Sequence, residues 1–355
     1  MQLYTALKIF HYTDFLKTLP KENSSISAPL HIRIKPTNTC NHKCSYCAYL
    51  NEDLQIGKNM SVKDRIPREK MLEIVDDCIE MGVKAVTFSG GGEPFSYPHL
   101  AETARRLALG GISIASLTNG ALLKGEAAEV FAEMGTWVRI SMDGWDGRSY
   151  AEFRNVPEDE FSKVLKNIED FQNLQGKCYL GVNFVVNHKN SDHVFSMARR
   201  LKDAGVNSLK ISPCIVADDG KDNNTYHSPI FDKVKGLAKR AIDELSDDSF
   251  EIYDSYHSLS ETFEKDYDWC PYLQINPVIA ADQRIYSCHD KAYNVASGVL
   301  GSIKEQSFKE CWENGKDKFF RIKPKCDCNH FCMKNNENMM IHDFYDADPN
   351  HLPFV

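Results

Sequence analysis

The sequence predicts an α/β protein: an open, partial (β/α)6 barrel followed by a small α+β, cysteine-rich module. Three observations predict it. Short apolar runs alternate with amphipathic stretches six times up to Ile211, the alternation then stops, and cysteines crowd a C-terminal region with only short strand-like runs. At 355 residues and 42% hydrophobic content, the chain can bury one large α/β core, or a medium one with an appendage.

Residues 1–30 read as an N-terminal extension, with a short helix over Leu3–Leu19 and a polar connector over Lys21–Ser27. The strands are expected at Ile32–Lys35, Ala85–Ser89, Ile112–Thr118, Trp137–Met142, Tyr179–Val186 and Ser208–Ile211. Amphipathic helices are expected between them, at Arg68–Met81, His99–Leu109, Ala127–Met134, Glu158–Leu174 and Ser191–Ala204. Six units fall short of the eight that close a barrel, so the sheet should stay open, with reactive groups at the carboxyl ends of its strands. A polar stretch, Ala217–Ser228, leads to one more helix at Phe231–Glu244. The barrel is assigned to residues 31–245 and the C-terminal module, with its tail, to 246–355. That module should contain a hairpin turning at Asp282-Gln283, and the tail from Asp343 to Val355 should pack back on the body. There is no repeat or low-complexity tract.

Composition excludes several classes. A net charge of −8 with no basic stripe argues against a general nucleic-acid binder, which needs clustered Lys and Arg to neutralise phosphates. The N-terminus lacks the pattern of an export signal, and nowhere are there 18 consecutive apolar residues. Twelve cysteines in such a chain point to a reducing cytoplasm, where clustered thiols bind metal more often than they form disulfides.

The chemistry centres on Cys40, Cys44 and Cys47, spaced C-x3-C-x2-C just past the first strand. Three cysteines in eight residues cannot pair off, and they read as iron–sulfur ligands. A [4Fe–4S] cube wants four thiolates, so three leave one iron open to an outside ligand. With Tyr46 directly before the last cysteine, the motif resembles that of the radical SAM superfamily. The resemblance implies that the open iron holds the amino and carboxylate groups of S-adenosylmethionine.

Directly after the second strand comes Ser89-Gly90-Gly91-Gly92-Glu93-Pro94. Glycines let a ligand approach the main chain, and Glu93 ends the run with a carboxylate. Alone such a run is an ordinary turn; one β/α unit after the cysteine loop it matches the family element, implying that Gly91, Gly92 and Glu93 lie along the methionine part of the cofactor. Thr118 and Asn119 close the third strand, Ser141 and Asp143 the fourth. The resemblance implies that residues there reach the ribose and the cofactor carboxylate, and Arg154 matches an arginine that holds this carboxylate, a task suited to a planar fork. Capping or surface pairing is the ordinary alternative. On the fifth strand Asn183 and Val185 could flank the adenine, although core packing explains Val185 equally well.

A second constellation comprises Cys270, Cys288, Cys326, Cys328 and Cys332. It resembles the SPASM or shortened twitch modules of the superfamily, which hold auxiliary clusters. Full SPASM modules need seven or more cysteines, so the resemblance implies one auxiliary [4Fe–4S] cluster, with Cys270, Cys288 and Cys332 as ligands and Cys328 favoured over Cys326 as the fourth. A structural zinc site is the alternative, since C-x-C-x3-C suits Zn²⁺ too.

Cys311 sits in a helix-like segment, and Cys78 and Cys178 read as small core residues. Cys214, just past the sixth strand, stands where substrate should lie; it is either a buried loop cysteine or a thiol that donates a hydrogen atom to a substrate radical, as in radical SAM epimerases. The resemblance further implies a one-electron donor such as flavodoxin or ferredoxin, and reductive cleavage of S-adenosylmethionine to a 5′-deoxyadenosyl radical. With a saturated auxiliary cluster to take the second electron, the expected reaction is two-electron oxidation of a small hydroxylated substrate, such as a sugar, amino sugar, cyclitol or a nucleotide-activated form. With 30 residues ahead of the barrel there is little room for a leader-recognition or cobalamin domain, which favours a small substrate over a peptide. The alternatives are redox-neutral epimerisation or rearrangement, or peptide modification, with Cys214 as donor, and a non-enzymatic iron–sulfur redox protein.

Overall fold

The computed structural model describes residues 4–257, 265–328, 330 and 332–353. Six strands lie where the alternation places them: β1 (His31–Ile34), β2 (Ala85–Phe88), β3 (Ser113–Thr118), β4 (Gly135–Met142), β5 (Tyr179–Val186) and β6 (Ser208–Pro213). They pair in parallel and in chain order, which requires a crossover after each strand. The crossovers run through α1 (Arg68–Met81), α2 (Leu100–Leu109), α3 (Gly125–Met134), α4 (Gly147–Arg154), α5 (Asp159–Asn173), α6 (Val194–Asp203), α7 (Gly220–His227) and α8 (Phe231–Leu245). Local chemistry sets their ends. Gly82 stops α1 in the left-handed region at φ 76°. A capping box opens α4, where Asp146 Oδ1 accepts from Ser149 N at 2.7 Å and Ser149 Oγ accepts from Asp146 N at 3.0 Å.

Period-two burial explains why these runs are strands. Ile32, Ile34, Val138, Ile140, Met142, Leu180, Val182, Phe184, Leu209 and Ile211 are fully buried against the helices, each contributing roughly 1.5–3 kcal/mol. Their alternates face the barrel lumen, where Arg33, Arg139, Ser141, Asn183 and Lys210 keep partial exposure and Gly181 and Ser208 are buried. The lumen is therefore not packed with apolar layers as in a closed barrel.

Three features extend the sequence reading. A seventh parallel strand, β7 (Glu251–Asp254), pairs with β6 and lies past residue 245. The expected hairpin is present as β8 (Val278–Ile279) and β9 (Arg284–Tyr286), with Gln283 at φ 61° in its turn, and β10 (Val299–Ser302) completes it. Moreover, β8 pairs in parallel with β1, so the C-terminal strands continue the barrel sheet. The order β10-β9-β8-β1-β2-β3-β4-β5-β6-β7 never closes on itself, as an open partial barrel requires.

The termini pack together. Instead of one helix, the N-terminal extension forms a 3-10 segment at Ala6–His11 and a single turn at Thr13–Leu16; Leu3 lies outside the described residues. The helix α9 (Phe308–Glu313) docks on α1 through Lys309 N to Asp77 Oδ2 at 2.9 Å, and Trp312 Nε1 donates to Ser27 O at 3.0 Å. The last helix, α10 (Asn335–Asp346), returns to the extension, with Tyr345 OH donating to Leu16 O at 2.6 Å; Val355 lies outside the described residues. Among the described residues no helix is long and apolar enough to cross a membrane.

Candidate active site

The cysteine loop leaves β1 at its carboxyl end and is tied to the end of α4 by backbone bonds, Lys43 N to Arg154 O at 3.0 Å and Ser45 N to Phe153 O at 2.9 Å. Cys40 is exposed, Cys44 and Cys47 are half-buried, and all three are free. Their charges bear on one another, and burial pushes all three thiols up, Cys44 to about 12. A neighbouring metal would reverse that preference, because metal coordination deprotonates thiols.

Glu93 is the hub that fixes this loop to the next strands. Its buried carboxylate accepts from Phe95 N at 3.0 Å and Thr118 Oγ1 at 2.6 Å through Oε1, and from Asn119 N at 2.7 Å through Oε2. Burial raises its pKa, and those three donors oppose the rise. Asn119 in turn donates to Asn41 Oδ1 at 2.8 Å and lies 3.9 Å from Cys40 Sγ. Gly91 and Gly92 press against the chain just before the cysteines, where a Cβ on Gly92 would meet Thr39 O at 2.1 Å. Gly91, Gly92, Glu93, Thr118 and Asn119 are thus gathered around the Cys40 side of the loop.

Arg154 and Asp143 form its other wall. Both are essentially buried; Arg154 Nε donates to Asp143 Oδ1 at 2.9 Å, and Nη2 donates to Ser141 O at 2.7 Å and Tyr46 OH at 3.1 Å. Burial raises the Asp143 pKa, against the pull of Arg154, and Asp143 Oδ2 has no hydrogen-bond partner among the described residues. Arg154 therefore braces Tyr46 and the β4 end from behind as well as facing the loop. On the next strands, register sets Ser141, Asn183 and Lys210 in one lumen-facing row, and Ser212 Oγ donates to Asn183 Oδ1 at 3.0 Å.

The second set of cysteines separates cleanly. Cys270, Cys288, Cys328 and Cys332 line one cavity together with Arg33, Asp290 and Lys291. Burial pushes these four thiols up, Cys270 to about 12. Cys326 is exposed at the end of a single helical turn and does not line this cavity. Of the intervening motif, Asn329 and Phe331 lie outside the described residues. Among the described residues no three His, Cys, Asp or Glu donors converge as they would on one metal ion; the four thiols stand around a space. Cys311 is buried in α9 and takes no part.

Cys214 is not in the lumen row. It is 5% exposed, its Sγ lies 4.0 Å from His227 Nε2, and His227 is fixed by Cys214 O at 2.8 Å and Tyr256 OH at 2.9 Å. Burial pushes the thiol up to about 11.

Sequence reasoning missed a polar group joining the two cysteine sets. Lys35, fully buried, donates to Gly90 O at 2.9 Å and to Tyr49 OH, and His289 Nδ1 stands 3.4 Å from Lys35 Nζ and 3.3 Å from Tyr49 OH. Burial drives the Lys35 pKa well down. The available signal was the alternation His31-Ile32-Arg33-Ile34-Lys35, which puts three polar side chains on the face opposite the helices.

A family model described as the Radical SAM superfamily matches residues 34–201. A probable GTP 3′,8-cyclase of Metallosphaera sedula is 25% identical over 59% of this chain; the chain spans 64% of that relative, less than two thirds of its length. A tungsten-containing aldehyde ferredoxin oxidoreductase cofactor-modifying protein of Pyrococcus furiosus is 23% identical over 84% of this chain and 87% of its own. Among solved structures, native anSMEcpe with bound AdoMet superposes with a TM-score of 0.57 at 19% identity, covering 89% of this chain and 98% of its own, a likeness of fold.

Proposed function

Because residues 34–201 form a radical SAM domain, we propose that the chain is an enzyme that oxidises a small hydroxylated substrate by two electrons, such as a sugar, amino sugar, cyclitol or nucleotide-activated form. The observation that carries this reading is the cavity walled by Cys270, Cys288, Cys328 and Cys332. Four thiolates suffice to saturate an auxiliary [4Fe–4S] cluster, leaving it no open iron for substrate and suiting it to accept an electron. The donor set of the first loop fits a different duty: Cys40, Cys44 and Cys47 supply three thiolates and leave one coordination site for S-adenosylmethionine.

When bound, this pair of cofactors supplies the radical that removes hydrogen from substrate. The protein's part is positioning. Gly92 keeps the main chain close, Glu93 and Asn119 hold the glycine turn and the cysteine loop in register, and Arg154 with Asp143 sets the far wall. Thr118, Ser141 and Asn183 offer short polar groups towards the same end of the sheet. Burial lowers the pKa values of Lys35 and His289, so their neutral nitrogens can accept the proton that a substrate hydroxyl must lose on oxidation, with Tyr49 hydrogen-bonded to both. The relative named as a cofactor-modifying protein supports a small substrate. An external one-electron donor such as flavodoxin or ferredoxin completes the scheme.

The test is anaerobic turnover of the reconstituted protein. Reduction with S-adenosylmethionine is expected to release 5′-deoxyadenosine, and product formed in heavy water is expected to carry no deuterium at the oxidised carbon. Persistent absence of 5′-deoxyadenosine with both clusters intact would leave an electron carrier; deuterium in a redox-neutral product would restore Cys214 as a donor.

A further inference from the structure

The lumen carries more positive charge than its surroundings answer. Arg139 faces inward from β4, and its register partners Gly181 and Ser208 bring no charge; Lys210 lies one inward position further along β6. The charges of Arg139, Lys334 and Arg33 all bear on Lys210. Only Glu337 opposes them there, and it is itself paired with Lys334 at 2.7 Å. Arg139 contacts the Tyr4 hydroxyl and stands 5.0 and 5.1 Å from the Tyr4 and Trp137 rings, and among the described residues no carboxylate forms an ion pair with it. Among the described residues neither the Lys210 nor the Arg33 side chain has a hydrogen bond or an ion pair within 4 Å. On the Arg33 side Tyr49, Asp290 and Cys288 oppose the effect of burial, and Arg139 adds to it.

Cations gathered in a half-buried space repel one another and lose hydration, a cost removed when an anion enters. The room exists around the inward-facing Arg33, Arg139, Ser141, Asn183 and Lys210, which are partly exposed. A neutral donor is at hand too. Asn183 accepts from Ser212 with its oxygen and sits in register with Lys210, which leaves its amide N–H groups for a ligand.

Resting on the reading above, we propose that the barrel lumen binds the anionic group of the substrate, a phosphate or a carboxylate, with Lys210 and Arg33 as its charged ligands and Asn183 as a neutral donor. This narrows the substrate to an acidic or phosphorylated form of a hydroxylated small molecule. Arg33 also lines the cavity of the second set of thiols, so an anion held between it and Lys210 is fixed beside that set, and hydrogen abstraction is aimed by a group that does not react.

Calorimetric titration of the anaerobically reconstituted holoprotein with inorganic pyrophosphate and, separately, with citrate tests it. At least one anion is expected to bind, about tenfold more weakly in Lys210→Met and in Arg33→Met, the loss of one charge-assisted hydrogen bond, with recovery in Lys210→Arg. Preference for pyrophosphate would assign a phosphate and preference for citrate a carboxylate. Binding of neither anion, or unchanged binding in both Met variants with native circular dichroism, overturns the proposal. Release of 5′-deoxyadenosine without substrate reports the underlying radical SAM reading separately: if it persists while anion binding is absent, only the anion site falls; if it is absent while anions still bind, only the radical reading falls.

Discussion

Asn119 donates its backbone N–H to Glu93 at 2.7 Å and its side-chain amide to Asn41 at 2.8 Å, so a single residue at the end of β3 carries the position of the glycine turn to the cysteine loop. Glu93→Gln keeps the shape but removes the charge from an acceptor of three hydrogen bonds. The expected loss is about 2 kcal/mol of stability, read as a lower urea midpoint, together with slower 5′-deoxyadenosine release. An unchanged midpoint would show that the charge does not hold the turn.

Arg154 and Asp143 make a buried pair, and breaking such a pair strands one charge. Arg154→Met should cost roughly 3–5 kcal/mol and, because the loop is hung on the Arg154 and Phe153 carbonyls, should lower iron retained at the first set of thiols after gel filtration. Coupling it with Asp143→Leu should restore part of the stability in a denaturation series, since no charge is then left unpaired.

The two neighbouring cysteines of the final motif should behave differently. Cys328→Ser is expected to lose one cluster's worth of iron and its electron paramagnetic signal, whereas Cys326→Ser should retain both, because Cys326 lies outside the cavity. Equal losses in the two variants would mean that the cavity rearranges on loading.

Lys210 should make stability depend on pH. Burial first, then Arg139 and Lys334, lower its pKa from 10.5 to about 8, with Glu337 opposing and Arg33 adding to the fall. Between these values the unfolded chain holds a proton that the folded chain has released, so wild-type stability rises with pH across that window. Lys210→Met should therefore be more stable than wild type at pH 7, by roughly 2 kcal/mol once solvent screening is allowed for, and the gap should shrink towards pH 10.5. Paired urea titrations at the two ends of the window measure it; a constant gap would place Lys210 in contact with water.

What the sequence reveals here follows from what periodicity can encode. Alternating Ile32, Ile34 and their counterparts locate six strands because the helix-facing side must be apolar. The four residues of β7 carry a single fully apolar aliphatic, Ile252, too short a pattern to stand out. Arg33, Lys35, Arg139 and Lys210 escape for another reason: a polar alternate looks the same in sequence whether it meets open water or a solvated lumen. The choice between Cys326 and Cys328 likewise depends on a helical turn that directs the second inward and leaves the first outside, which spacing alone does not encode.

Register between β1 and β8 places Arg33 opposite Val278. A ribosome releasing this chain therefore exposes one border of the nascent sheet throughout synthesis of nearly the whole barrel, and that border is satisfied only when residues beyond 270 emerge. Completion of the first unit thus waits for the last, so truncation ahead of the hairpin should yield an aggregating fragment where a self-sufficient amino-terminal barrel would otherwise be expected.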